Sequence, residues 1–153
     1  IMHQEFCKIF SRFVEENNIK ENEFGLEITE TAELEDTKKA GESLERLKKR
    51  GIKIALDDFG AGYASLKYIR DLPIDVVKLD RHFTSNISDP STSRLIKFVS
   101  DVCAELNLEM IGEGIETEKE KNMMIGLGCL TGQGFLMHMP SFIEDIKKEN
   151  NDG

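Results

Sequence analysis

Carboxylates, one lysine and one glutamine recur at comparable places along this chain. Asp57 and Asp58 end the apolar run "IKIALDD", Glu27 lies in the second half of "FGLEIT", Lys78 and Asp80 close "DVVKLD", Glu113 ends "EMIGEG", and Gln133 sits in "CLTGQGF". One acid at a strand end is ordinarily solvated, a helix N-cap or half of an ion pair. Four or five acids gathered at one place repel one another unless cations stand between them, and hard divalent metals with oxygen ligands are the usual solution. Two metals roughly 3.5 to 4 Å apart share a bridging carboxylate, activate a water and steady the leaving oxygen of a phosphoryl displacement. Asp57 and Asp58 suit such a bridge, because the chain turns there; inside a regular strand, neighbouring side chains face opposite ways.

The intervening sequence supplies the elements that would bring these residues together. Phe6, Ile9, Phe10, Phe13 and Val14 recur at helical spacing, which predicts a leading helix over 2–17 with one buried stripe. Strands are expected at 24–29, 52–58, 75–80 and 109–114, with a weak one near 129–135. Helices are expected at 36–50, closed by Gly51, at 64–72, stopped before Pro73, and at 92–107, 117–126 and 141–148, before the polar tail "KENNDG". Five strands alternating with helices predict an α/β domain with a parallel sheet and right-handed crossovers. In such sheets, sites form at the C-terminal edge, where successive loops converge, and four of the five expected strands bring a carboxylate there.

Composition sets the outer limits. The 153 residues, 39% hydrophobic, suffice for one cored domain. A net charge of -9 argues against a nucleic-acid polymer or an anionic membrane as partner. No apolar run is long enough to span a bilayer, no signal-like segment opens the chain, and a cytoplasmic location is expected. Cys7, Cys103 and Cys129 have no metal-like spacing and read as reduced thiols. His3, His82 and His138 are scattered, which favours surface or packing roles, and the methionines of "FLMHMP" read as packing. Gly60 and Gly62 either relieve backbone strain after the second strand or belong to a mobile loop; they form no dinucleotide fingerprint, since the pattern fails at Ser65.

The motifs "LEITE", "LDDFGAGYASL", "VVKLD", "GEGIE" and "GQGF" stand in the order and approximate spacing of the second part of the EAL domain. In that resemblance, which runs from about residue 5 to 140, the chain is similar to the bacterial phosphodiesterases that linearise cyclic di-GMP. It implies an incomplete TIM-barrel-like (β/α) domain of about five parallel strands with flanking helices, and a two-metal site for Mg2+ or Mn2+. On the matching positions, Glu27 and Asp57 resemble metal ligands, with Asp57 shared, Asp58 completing the second metal and Glu113 a further ligand of it. Glu116 looks like the acid that supports the site, Lys78 like the lysine that contacts the catalytic water, Asp80 like the outer neighbour of that cluster, and Gln133 like the glutamine near the water. Glu30 matches the glutamate that steadies the loop after "DDFG". For Lys78, a structural counter-ion to the carboxylates is an equally good chemical reading. "FLMHMP" departs from the family's serine or lysine before the proline, and Gly112 replaces an alanine.

The name-giving Glu-Ala-Leu strand, its arginine and the following asparagine ligand have no counterpart in these residues. The chain therefore reads as a partial EAL domain: a leading helix (1–20), βα units carrying the metal motifs (21–140), and a final helix with a polar tail (141–153). A closed eight-stranded barrel takes about 250 residues, so five strands leave two open sheet edges, and a homodimer or an exchange of elements is expected. Two functions stay open: metal-dependent hydrolysis of cyclic di-GMP, weak or absent in this piece alone, and a catalytically incompetent module that binds cyclic di-GMP or metal, or dimerises.

Overall fold

A computed structural model describes residues 9–10, 12–14, 16–17, 24–29, 37–61 and 65–142. Within them, β1 (Gly25–Thr29), β2 (Lys53–Phe59), β3 (Val76–Leu79), β4 (Glu109–Gly112) and β5 (Thr131–Gly132) form one parallel sheet in the order β1-β2-β3-β4-β5. Helices α1 (Thr37–Lys48), α2 (Ser65–Asp71), α3 (Arg81–Ser85), α4 (Pro90–Glu105) and α5 (Glu118–Gly126) lie between the strands. Sequential parallel order is the winding of a barrel; a doubly wound sheet reverses its strand order midway. Five parallel strands with flanking helices match the expectation.

The strands' two faces differ in chemistry. Ladder register aligns Ile28 with Leu56, Leu56 with Val77, and Val77 with Met110. These residues are buried and join Leu44 and Leu47 of α1, Tyr68 and Ile69 of α2, Ile96 and Val99 of α4, and Met124 of α5 in one core. The alternate positions run from Glu27 through Ala55 and Val76, with Asp57 and Lys78 one step further along the same face. Alternation thus places the apolar set against the helices and the chemically active set on the other face.

The β2 end breaks this alternation. Leu56 pairs with Val77 and Phe59 with Leu79, so three steps along β2 answer two along β3, a β-bulge containing Asp57 and Asp58. Asp58 takes a left-handed φ of 54°, and Phe59 returns to the core side at 5% exposure. The inserted residue is what puts two consecutive aspartates at one site. Gly60 follows at φ 96°, and a methyl group there would overlap the Phe83 ring; relief of backbone strain, one of the two roles expected for it, is therefore a physical requirement at this position.

Two features depart from the expected pattern. The short helix α3 was not anticipated; Asp80 caps it by accepting from the His82 N–H at 2.8 Å. In the leading helix, Phe10 packs edge-on against Phe24 with ring centres 6.3 Å apart, whereas Ile9 and Phe13 are 67% and 49% exposed. The stripe is only partly buried, because among the described residues Phe24 and the adjoining core receive Phe10 alone. Residues 141–142 are not helical, and the rest of the last expected helix lies outside the described residues. No helix among the described residues is long and apolar enough to cross a membrane.

Candidate metal centre

The ends of β2 and β4 deliver the acid cluster. The β2 bulge presents Asp57 and Asp58, and Glu113 follows β4 directly, its backbone N–H donating to the Leu79 carbonyl at 3.2 Å. One carboxylate oxygen from each of Asp57, Asp58 and Glu113 lies within 4.8 Å of the others. All three side chains are half-buried. This donor set is oxygen alone, the kind that hard divalent cations such as Mg2+ and Mn2+ prefer, so the residues fit the expected metals.

Lys78 binds the cluster to Glu27. Its ammonium lies 2.8 Å from Asp57 Oδ1, 2.8 Å from Glu113 Oε1 and 3.0 Å from Glu27 Oε1. Burial pulls its pKa down, but hydrogen bonds to Asp57, Glu113 and Glu27 outweigh that effect, and the group is held above the ordinary lysine value. Lys78 is therefore a fixed cation at neutral pH, a donor and not a base. Gln133, just beyond β5, donates from Nε2 to the same Glu113 Oε1 at 2.6 Å.

The remaining sequence candidates fall around this core or outside it. Asp80 is engaged at the N-terminus of α3, while the ion pairs of Lys78 go to Glu27, Asp57 and Glu113. Glu116 is exposed, and its backbone N–H, with that of Thr117, donates to Glu120 Oε2 at 2.9 Å in the capping box of α5. Glu30 and Gly62 lie outside the described residues. Cys103 and Cys129 are buried free thiols, and burial pushes each up to about 11.

A cleft of about 330 Å³ opens beside Glu113, lined by Arg81, Glu116, Gln133, Phe135 and His138 among others. Arg81 escaped the sequence reading, although its place directly after the Asp80 cap was a usable signal. Gly114, at φ 66°, lets the β4 loop pass close to it: a methyl group there would lie 2.6 Å from Arg81 Cβ. Phe135 is 56% exposed and presents an aromatic face to the cleft, and Met137 and Met139 are exposed as well, so the methionines of "FLMHMP" are not the buried packing expected of them. A cation, an aromatic face and one acid of the cluster, Glu113, therefore border one open volume.

A parallel, barrel-wound sheet with flanking helices, carrying an acid cluster and a buried lysine at its C-terminal edge, defines an α/β domain of the TIM-barrel-like class. The sequence model of the EAL domain matches residues 1–140, and the chain belongs to the EAL domain family. A cyclic di-GMP phosphodiesterase of Pseudomonas aeruginosa is 36% identical over 123 residues, covering 80% of this chain and 21% of its own length. The chain thus spans well under two thirds of that relative. The EAL domain of Mycobacterium smegmatis DcpA superposes with a TM-score of 0.91 at 28% identity, over 100% of this chain and 69% of that one. Klebsiella pneumoniae BlrP1, solved as a manganese and cyclic di-GMP complex, superposes with a TM-score of 0.79 at 26% identity, over 88% of this chain and 35% of its own.

Proposed function

We propose that this chain is the metal-ligating part of a cyclic di-GMP phosphodiesterase, a hydrolase that opens one phosphodiester bond to give the linear dinucleotide. The observation that carries this reading is the convergence of Asp57, Asp58 and Glu113 within 4.8 Å, with Glu27 tied to them through Lys78. Glu27, Asp57, Asp58 and Glu113 would hold a pair of Mg2+ or Mn2+ ions, with Asp57 shared. When bound, such a pair supplies a more acidic water and neutralises charge on the phosphate. Lys78, held protonated, would donate to the water or to a phosphate oxygen in place of one of its three carboxylate contacts and so orient it; Gln133 fixes Glu113 from the other side. Arg81 and Phe135 suit the phosphate and a base of the dinucleotide, through charge and stacking respectively. Glu116 supports the β4 loop, and Glu30 anchors the segment after the bulge.

The reading includes a domain shared among a leading helix, the βα units and a final helix, acting in bacterial signalling in the cytoplasm. Strands β1 and β5 stand at the two ends of the sheet order, which supports association with a second copy or exchange of elements. The test is a calorimetric titration of Mn2+ with and without cyclic di-GMP, followed by product analysis and light scattering on the same sample. Linear dinucleotide is the expected product in an assembly that completes the site. Absence of Mn2+ binding overturns the metal reading, and a strictly monomeric mass overturns the dimer.

A further inference from the structure

A buried ammonium stands at the point where three of the four proposed metal-holding carboxylates meet. Lys78 is 8% exposed, and its Nζ contacts one named oxygen on each of Asp57, Glu113 and Glu27 at 2.8 to 3.0 Å. A hard divalent ion would use the same kind of lone pairs at shorter range, about 2.0 to 2.6 Å. Two cations that draw on the same oxygens compete for them and repel each other. We propose that Lys78 is the resident counter-ion of the acid cluster, holding Glu27, Asp57 and Glu113 together and setting the affinity for divalent cations downward. This inference rests on the metal reading above and adds a regulatory role to it.

The charge count shows why competition tunes affinity without abolishing it. Glu27, Asp57, Asp58 and Glu113 offer four negative charges against the one of Lys78, so a doubly charged ion still meets a net anionic site. Asp58 adds an oxygen to the gathered trio, whereas the salt bridges of Lys78 go to the other three acids. Glu27, whose side chain is 54% exposed, is joined to the group through the ammonium. A lysine that served only to orient the carboxylates for the ion would have the opposite effect on binding. In that case its loss would loosen the ion; as a competitor, its loss tightens it.

The experiment is a calorimetric Mn2+ titration of the wild-type chain, Lys78→Met and Lys78→Arg, with thermal unfolding of each recorded with and without Mn2+. Lys78→Met is expected to bind Mn2+ at least tenfold more tightly and to gain more thermal stability from it than the wild type, whereas Lys78→Arg, which keeps the charge, stays near the wild type. Unchanged or weaker binding by Lys78→Met, with normal wild-type binding, overturns the inference and leaves the metal reading standing. An equal gain in Lys78→Arg also overturns it, since charge would then not be the cause. If neither the wild type nor Lys78→Met binds Mn2+, both readings fall together. Should Lys78→Met fail to fold, restoration of its far-ultraviolet circular dichroism by millimolar Mn2+ supports the proposal, and no restoration refutes it.

Discussion

Replacing Gly60 by alanine tests how the β2 terminus positions Asp58. At φ 96° an alanine enters a conformation that costs an L-residue about 1–2 kcal/mol. Its methyl group also meets the Phe83 ring, packed against the core from α3, and displacing packed atoms costs about 1–3 kcal/mol. The narrower unfolded ensemble of alanine returns about 0.4–1 kcal/mol, which leaves a net loss of about 1–5 kcal/mol. Urea unfolding of the wild type, Gly60→Ala, Phe83→Ala and the double variant separates the two contributions. Removing the ring should recover the steric part, a coupling of about 1–3 kcal/mol, while the backbone part persists. Because Gly60 lies two residues from Asp58, Mn2+ affinity should fall in Gly60→Ala and partly return in the double variant. A loss under 1 kcal/mol, or a full loss with zero coupling, refutes the argument from strain and contact.

The other perturbations act on the site and on one cap. Asp57→Asn removes the carboxylate that contacts Lys78 and stands in the gathered trio, so Mn2+ affinity measured by calorimetry should fall by more than the roughly 10–100-fold that loss of an outer partner costs; an unchanged affinity refutes the bridging role. Asp58→Ala and Asp58→Gly both delete a carboxylate, yet Asp58→Ala should be the less stable by about 1–2 kcal/mol, because only glycine relaxes a φ of 54°. Equal denaturation midpoints would show that the backbone is not strained there. Asp89 caps α4 and is held below its ordinary 3.8, first by the Ser91 hydroxyl and then by the Thr92 N–H. A lowered folded-state pKa means that the stabilisation is complete above the unfolded value and disappears as pH falls through the folded one. The stability gap between wild type and Asp89→Ala, followed by chemical unfolding, should therefore be flat above about pH 5 and shrink in acid; a gap that widens in acid contradicts the cap.

Periodicity made the strands and most helices legible, because β1 to β4 are short apolar runs bounded by turn residues and α4 keeps a clear apolar stripe. It failed at α3, whose five residues are too few for a period; only the cap at Asp80 announces that helix. The sheet edge at which Asp57, Asp58 and Glu113 gather followed from their places at strand ends. The bulge did not, since an inserted residue leaves no mark on composition, although the adjacency of two aspartates before Phe59 was its trace. Arg81 was missed as a neighbour of the site because it opens α3, the helix too short to show a period, and Phe135 because it is brought there by the turn after β5, and loop paths follow tertiary contacts more than local pattern.

The division between the sheet's faces explains how an acid cluster is tolerated in a marginally stable chain. Ile28, Leu56, Val77 and Met110 pack towards the helices, and their burial does not depend on the carboxylates opposite. The bulge passes from one face to the other without breaking the pairing on either side: Leu56 and Phe59 keep their partners while the two aspartates project together. Local strain at Asp58 is thereby confined to a place where the neighbouring ladder over-determines the backbone, the condition under which such conformations persist. Substitutions on the acidic face should change cation binding more than folding, and those on the apolar face the reverse. Lys78 links the two, being buried like a core residue yet paired with acids from three strands and their ends. It lies at a position where the demands of the fold and of the chemistry cannot be varied independently.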